Sequence, residues 1–202
     1  MKNIFTFLAL SLTIFCFGQF KITPENFKSI DSPDKDYIVY EFPGKTKSDL
    51  FNAAKMYVNS TYKGVKFDGY NEVANEQIVL DVNYVKPNAG MFDGAGLFSV
   101  SNRYEMNFKD GKIMFRPSFR YLQDTKGNKI YLSGGSFLDK TVYNKNGKLS
   151  VSSKLEELIN KSVEGVSSGL NKSIQDSKSN DWQYTTPMIK QSLPFRQAFF
   201  MP

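Results

Sequence analysis

Arg103, Arg116 and Arg120 fall on two alternating runs that flank Asp110-Gly111. Asp-Gly between such runs favours a two-residue hairpin turn, and the turn fixes the register of both strands. In that register Glu105 faces Arg116, Arg103 faces Ser118 and Ser101 faces Arg120, with Asp81 and Asn83 expected on the neighbouring strand. Guanidinium forks suit carboxylates and phosphates, so this side of the hairpin is a candidate surface for an anionic ligand or a partner. The plainer reading is a solvated sheet face, in which the Glu105–Arg116 pair contributes roughly a few tenths of a kcal/mol. That reading is favoured.

Other chemistry is thinner still. The 202 residues include no histidine, which removes the commonest general base and metal ligand together. A Ser-His-Asp triad, a Cys-His dyad and a His-based zinc site are excluded. The carboxylate pairs Glu156-Glu157, Asp34 with Asp36, and Asp68 with Glu72 have no sign of the cleft that glycosidase-like work requires. Gly90 to Gly96 is rich in glycine, but it lacks the Gly-Lys-Ser/Thr ending and leads into a strand, whereas a phosphate loop opens a helix. Met91 and Phe92 within it are read as folding back on the core. No stretch has the alternating acids and closing Glu of a calcium loop. No catalytic residue, cofactor or metal is expected.

The elements that would position the arginine face follow from periodicity. On the hairpin's other side Phe108 meets Ile113, Met106 meets Phe115, Tyr104 meets Pro117 and Val100 meets Tyr121, a continuous apolar surface. One greasy face and one polar face describe an antiparallel sheet covered on one side. Tyr37 to Phe42 reads as a first strand closed by Pro43-Gly44, and Ile78 to Val85 alternates cleanly. Val65 to Val73 is a weaker strand. Thr46 and Asp49 open a helix reaching about Tyr62, with Leu50, Ala53, Ala54, Tyr57 and Val58 on one stripe. Ser153 to Glu156 has the pattern of a second capping box, opening a helix to about Gln175 with Leu155, Leu158 or Ile159, Ser162, Val166, Gly169 or Leu170, and Ile174 on its stripe. Gly165 and Gly169 on that helix suggest a close approach to the sheet.

The order is strand, helix, four strands, helix: an α+β domain, a curved antiparallel five-stranded sheet with two helices on one face. The domain spans 36–178, with residues 123–149 as an insertion. Residues 19–35, holding Pro24 and Pro33, read as a loosely structured lead-in. Residues 179–202 read as a flexible tail, except that Trp182, the single tryptophan, is expected to pack the end of the second helix onto the domain.

The first eighteen residues have the pattern of an export signal. Lys2 supplies the charge, Ile4 to Phe17 the apolar run, and cleavage is expected before Gln19. The apolar core is shorter than the ~20 residues of a membrane span, and Phe15 before Cys16 disfavours a lipoprotein signal. Cleavage removes Cys16, the one cysteine, so no disulfide would contribute to stability. The net charge of +6 is spread along the chain and raises the case for acidic partners only slightly.

The stretch Phe42 to Phe51, the closing turn Phe108 to Ile113 and Ser179-Asn-Asp-Trp182 resemble a family of small exported bacterial proteins. The family is known as a domain of unknown function with a TATA-binding-protein-like fold. The resemblance covers Tyr37 to Trp182 and implies one strand-helix-four-strand-helix unit with an open sheet face. The insertion at 123–149 departs from the compact pattern. No activity is carried by the resemblance, and the fold name does not imply DNA binding.

Three functions compete. The first is a non-catalytic binding or accessory module of the cell envelope, its partner an envelope protein or an anionic ligand. Nucleic-acid or other polyanion binding through the open face comes second, since export separates the chain from nucleic acid and no aromatics interleave with the basic positions. A hydrolase using Asp or Glu comes third.

Overall fold

The computed structural model describes residues 20–62, 69–85, 97–133 and 140–177. The export signal, the 86–96 connection with Met91 and Phe92, and the tail with Trp182 lie outside them.

The Asp110-Gly111 turn forms as the dipeptide dictates, with Gly111 at φ +70°. It joins the two longest strands, β6 (Phe98–Lys109) and β7 (Lys112–Asp124). From Lys109 opposite Lys112 to Asn102 opposite Phe119 the expected register holds. Beyond it, a bulge between Ser101 and Asn102 shifts the pairing by one. Ser101 therefore faces Tyr121 and Val100 faces Leu122, correcting the expected Ser101–Arg120 and Val100–Tyr121 pairs. The reason is visible in burial. Without the shift Leu122 would face solvent, and with it Leu122 is fully buried.

Strands β3 (Ile38–Glu41), β4 (Tyr70–Val73) and β5 (Gln77–Val85) complete the sheet in the order β3-β7-β6-β5-β4, every pair antiparallel. A two-residue β8 (Lys129–Ile130) pairs with β7, so the sheet has six strands where the sequence suggested five. Beyond β8 the 123–149 insertion contributes two isolated bridges, Tyr131 with Thr141 and Tyr143 with Leu149.

Two helices cover one face. Helix α1 (Lys47–Thr61) starts on the expected capping box. Thr46 Oγ1 accepts from the Asp49 amide, and the Asp49 carboxylate accepts from the Thr46 amide. Helix α2 (Ser153–Asp176) is capped by Ser152 without a side-chain hydrogen bond. The Ser153–Glu156 box does not form, because Ser153 is already the first helical residue. The helices lay Leu50, Ala54, Ile159 and Leu170 onto Ile78, Leu80, Tyr104 and Phe115, all fully buried, each large side chain contributing about 1.5–3 kcal/mol by burial. Gly169 accommodates the other helix and not the sheet, since a Cβ there would stand 2.5 Å from Tyr57 Oη. Gly165 faces open space, and nothing in the structure explains it.

The lead-in is structured. β1 (Phe20–Thr23) and β2 (Asn26–Ser29) form a separate two-stranded sheet whose Phe20, Ile22 and Phe27 enter the core. Side chains replace the strand neighbours it lacks. The Ile22 amide donates to Asn160 Oδ1 at 2.8 Å, and the Ile22 carbonyl accepts from Tyr143 Oη at 2.8 Å. Asn26, at φ 98°, uses its amide like a strand. Its Oδ1 accepts from the Phe119 amide at 2.8 Å and its Nδ2 donates to the Phe119 carbonyl at 3.2 Å. Alternate residues of a strand direct their backbone groups to the same neighbour. Pro117, two residues before Phe119, therefore turns its nitrogen toward this outer edge, past the last β3 pair at Phe115. A proline inside a long strand costs no β6–β7 hydrogen bond there.

Candidate functional site

The uncovered face of the sheet carries all six nominated residues, and the structure brings them together in two groups. Asp81 at the middle of β5 lies directly across from Arg103 on β6. Arg103 grips it with both ends of the fork, Nε to Oδ1 and Nη2 to Oδ2 at 2.8 Å each. The bulge leaves Arg120 as the extra residue on β7, and its Nη1 reaches the same Oδ2 at 3.1 Å. Two guanidinium groups thus share one carboxylate, and Arg103's hydrogen bonds, ahead of the charge of either arginine, hold Asp81 below its ordinary value of 3.8. Asn83, two residues on, is exposed opposite Ser101.

The second group centres on Glu105 and Arg116, opposite one another as expected. Glu105 Oε1 accepts from Gln77 at 3.0 Å and from Asn107 at 2.8 Å. Arg116 Nη1 stands 3.6 Å from Glu105 Oε2, and its Nε stands 3.4 Å from Asp36 Oδ1. Neither contact is a hydrogen bond, and the Nε is a buried donor with no hydrogen-bond partner. The guanidinium also lies 5.8 Å from the Tyr37 ring centre. Arg116 is consequently the most loosely held of the three arginines.

Sequence reasoning missed Asp36, Tyr37, Gln77 and Asn107. The signal for the first two was available: once β3 is placed beside β7, extending the Ile38–Phe115 register by one brings Tyr37 alongside Arg116. Alternation along β6 also puts Asn107 on the face of Glu105, while Gln77 joins through the β5–β6 register, which sets it opposite Asn107.

Electrostatically the face is neutralised from within. Arg103 and Arg120 share Asp81, while Arg116 lies between Glu105 and Asp36. At the strand ends Lys112 pairs with Glu41 at 2.9 Å and Lys129 sits 4.2 Å over the Tyr121 ring. Elsewhere, Asp49, Glu72 and Asp124 are also shifted downward, through hydrogen bonds from Thr46, Lys55 and Asn128 respectively. A downward shift moves a carboxylate away from proton transfer near neutrality. The tyrosines are shifted upward chiefly through burial, as at Tyr40, pushed up to about 12, while Arg103 and Lys161 are raised by hydrogen bonds to Asp81 and Glu157. Among the described residues no group of three or more His, Cys, Asp or Glu could hold a metal ion. No helix among them is long and apolar enough to cross a membrane.

Behind the sheet, a groove of about 660 Å³ runs between the two helices. Ala53, Met56, Tyr57 and Gly169 form its floor, and Lys45, Asp49, Lys172 and Asp176 stand along its rim.

No family model and no curated protein matches the chain. Two solved structures are similar to it. One is a TBP-like protein from Parabacteroides distasonis ATCC 8503, at 14% identity, covering 69% of this chain and 91% of that one with a TM-score of 0.49. The other is a DUF4468 family protein from Bacteroides ovatus ATCC 8483, at 14% identity, covering 68% of this chain and 84% of that one with a TM-score of 0.43.

Proposed function

We propose that the protein is an exported, non-catalytic module of the cell envelope that contacts a protein partner through the open face of its sheet. The observation that carries this reading is the internal pairing of the face. Arg103 and Arg120 are already committed to Asp81, so a polyanion would have to compete with a carboxylate held by three short hydrogen bonds. A mixed, neutralised surface flanked by Tyr37, Tyr121 and Val85 suits a protein surface better than a phosphate backbone, whose binding relies on unneutralised cations. Within this face Arg116, a partly exposed guanidinium with ion pairs to Asp36 and Glu105 but no hydrogen bond to either, is the group to which a partner's acidic side chain would go.

The test is site-specific photo-crosslinking in cells, with the crosslinker placed at Asn83 on the open face or at Lys154 on the first turn of α2. A discrete envelope protein captured from Asn83 and not from Lys154, and lost with Arg116→Ala, is the expected result. Equal capture from both positions, or a cytoplasmic location on fractionation, would overturn the proposal. Retention on heparin that disappears in the triple Arg103→Glu, Arg116→Glu, Arg120→Glu variant would move the reading to a polyanion site.

A further inference from the structure

The groove between the helices is a second surface, on the opposite side of the molecule from the arginines. Its wall runs along α1 from Asp49 to Tyr57, about 12 Å of helix. It is closed at one end by Ser177, whose hydroxyl accepts from Lys45 Nζ at 2.9 Å. At the other end the backbone of Gly169 lies against the Tyr57 side chain, which lines the groove but is only 8% exposed. Beside them Met56 is 71% exposed, the most exposed of the large apolar side chains described.

We propose that this groove is the docking site of the segment that follows it in the chain, Lys178 to Trp182, with the Trp182 indole on Met56. Connectivity and reach argue for this occupant over a foreign one. The segment leaves from Ser177, itself part of the wall, so docking closes no loop and costs only the ordering of the segment itself. Five extended residues reach at most about 17 Å, enough to carry Trp182 from Ser177 back past the length of the wall. Chemistry agrees: the floor is apolar and suits an indole. The rim mixes Lys45 and Lys172 with Asp49 and Asp176, which suits a segment that itself carries both signs, Lys178 and Asp181. The inference is independent of the proposed partner on the sheet face.

Trp182 is the single tryptophan of the chain, so its emission reports docking directly. In the full chain we expect an emission maximum blue-shifted from that of the same chain in denaturant, with weak acrylamide quenching. Met56→Lys, on an exposed position that does not threaten the fold, should shift the emission red and raise the quenching constant several-fold while the far-ultraviolet circular dichroism stays unchanged. Lys172→Glu should act in the same direction more weakly. Solvent-like emission in the native unsubstituted protein would overturn the proposal, as would a blue-shifted emission that ignores both substitutions. A blue shift that fades on dilution would also overturn it, because the groove would then be filled by a second copy.

Discussion

The two faces of the sheet share the same strands and differ in almost everything else. On β5, Ile78 and Leu80 point toward the helices and are fully buried, while Asp81 and Val85 point away from them, and Val85 is 59% exposed. The helix side is held by apolar burial and by hydrogen bonds sealed from water, such as Tyr104 Oη to the Ser162 carbonyl at 2.9 Å. The open side is held by ion pairs that water and salt can reach. One side therefore sets whether the chain folds, and the other can vary without unfolding it.

Substitutions on β5 give the widest test of that contrast. Leu80→Ala should lower stability by about 2–5 kcal/mol, against about 0.5 kcal/mol or less for Val85→Ala on the same strand. Urea unfolding midpoints at constant slope measure both, and similar losses would mean that the open face is covered. Next is the clamp that ties the first hairpin to the sheet. Asn26→Ala removes the hydrogen bonds to Phe119 and puts a Cβ-bearing residue without a local partner at φ 98°, for about 2–3 kcal/mol. Asn26→Gly should recover only the backbone part, about 1 kcal/mol.

A smaller effect, opposite in sign at two positions of one helix, separates packing from propensity. Gly165→Ala meets nothing and should stabilise by about 0.5–1 kcal/mol. Gly169→Ala gains the same propensity but must displace the Tyr57 ring, for a net loss of about 1 kcal/mol. Thermal unfolding of the pair decides it. The smallest effect belongs to the open face. Asp81→Asn should cost less than about 1 kcal/mol at neutral pH and shrink with added salt. Because the folded state lowers the Asp81 pKa, its stabilisation is present above the ordinary value of 3.8 and is lost as the pH falls through the lowered one. The variant and the unsubstituted protein should therefore converge in acid.

Much of this was legible in the residues. The Asp-Gly turn, the Thr46–Asp49 box and the alternation of β5 are local signals, and each produced its element. Asp81 is expected on the strand beside Arg103, and the β5–β6 register of the structure supplies the pairing. What could not be read depended on distant parts of the chain. The lead-in hairpin has only four residues per strand, and its turn rests on Asn26, whose left-handed conformation is compensated by a bond to Phe119 far along the sequence. The bulge at Ser101 arises because two neighbouring positions, Tyr121 and Leu122, both offer apolar side chains, and only packing selects Leu122. That choice released Arg120 from its expected place opposite Ser101 and joined it to Asp81.

The outer margin of β7 has a further consequence. β3 covers its first residues, Pro117 offers no donor, Asn26 occupies both backbone groups of Phe119, and β8 takes up Leu122 and Gln123. Four unlike devices leave little continuous backbone there for an invading strand to template on, the route by which open sheets aggregate or capture extended peptides. Any contact on this flank is thus left to side chains, so the surface there can change by substitution while the scaffold stays intact.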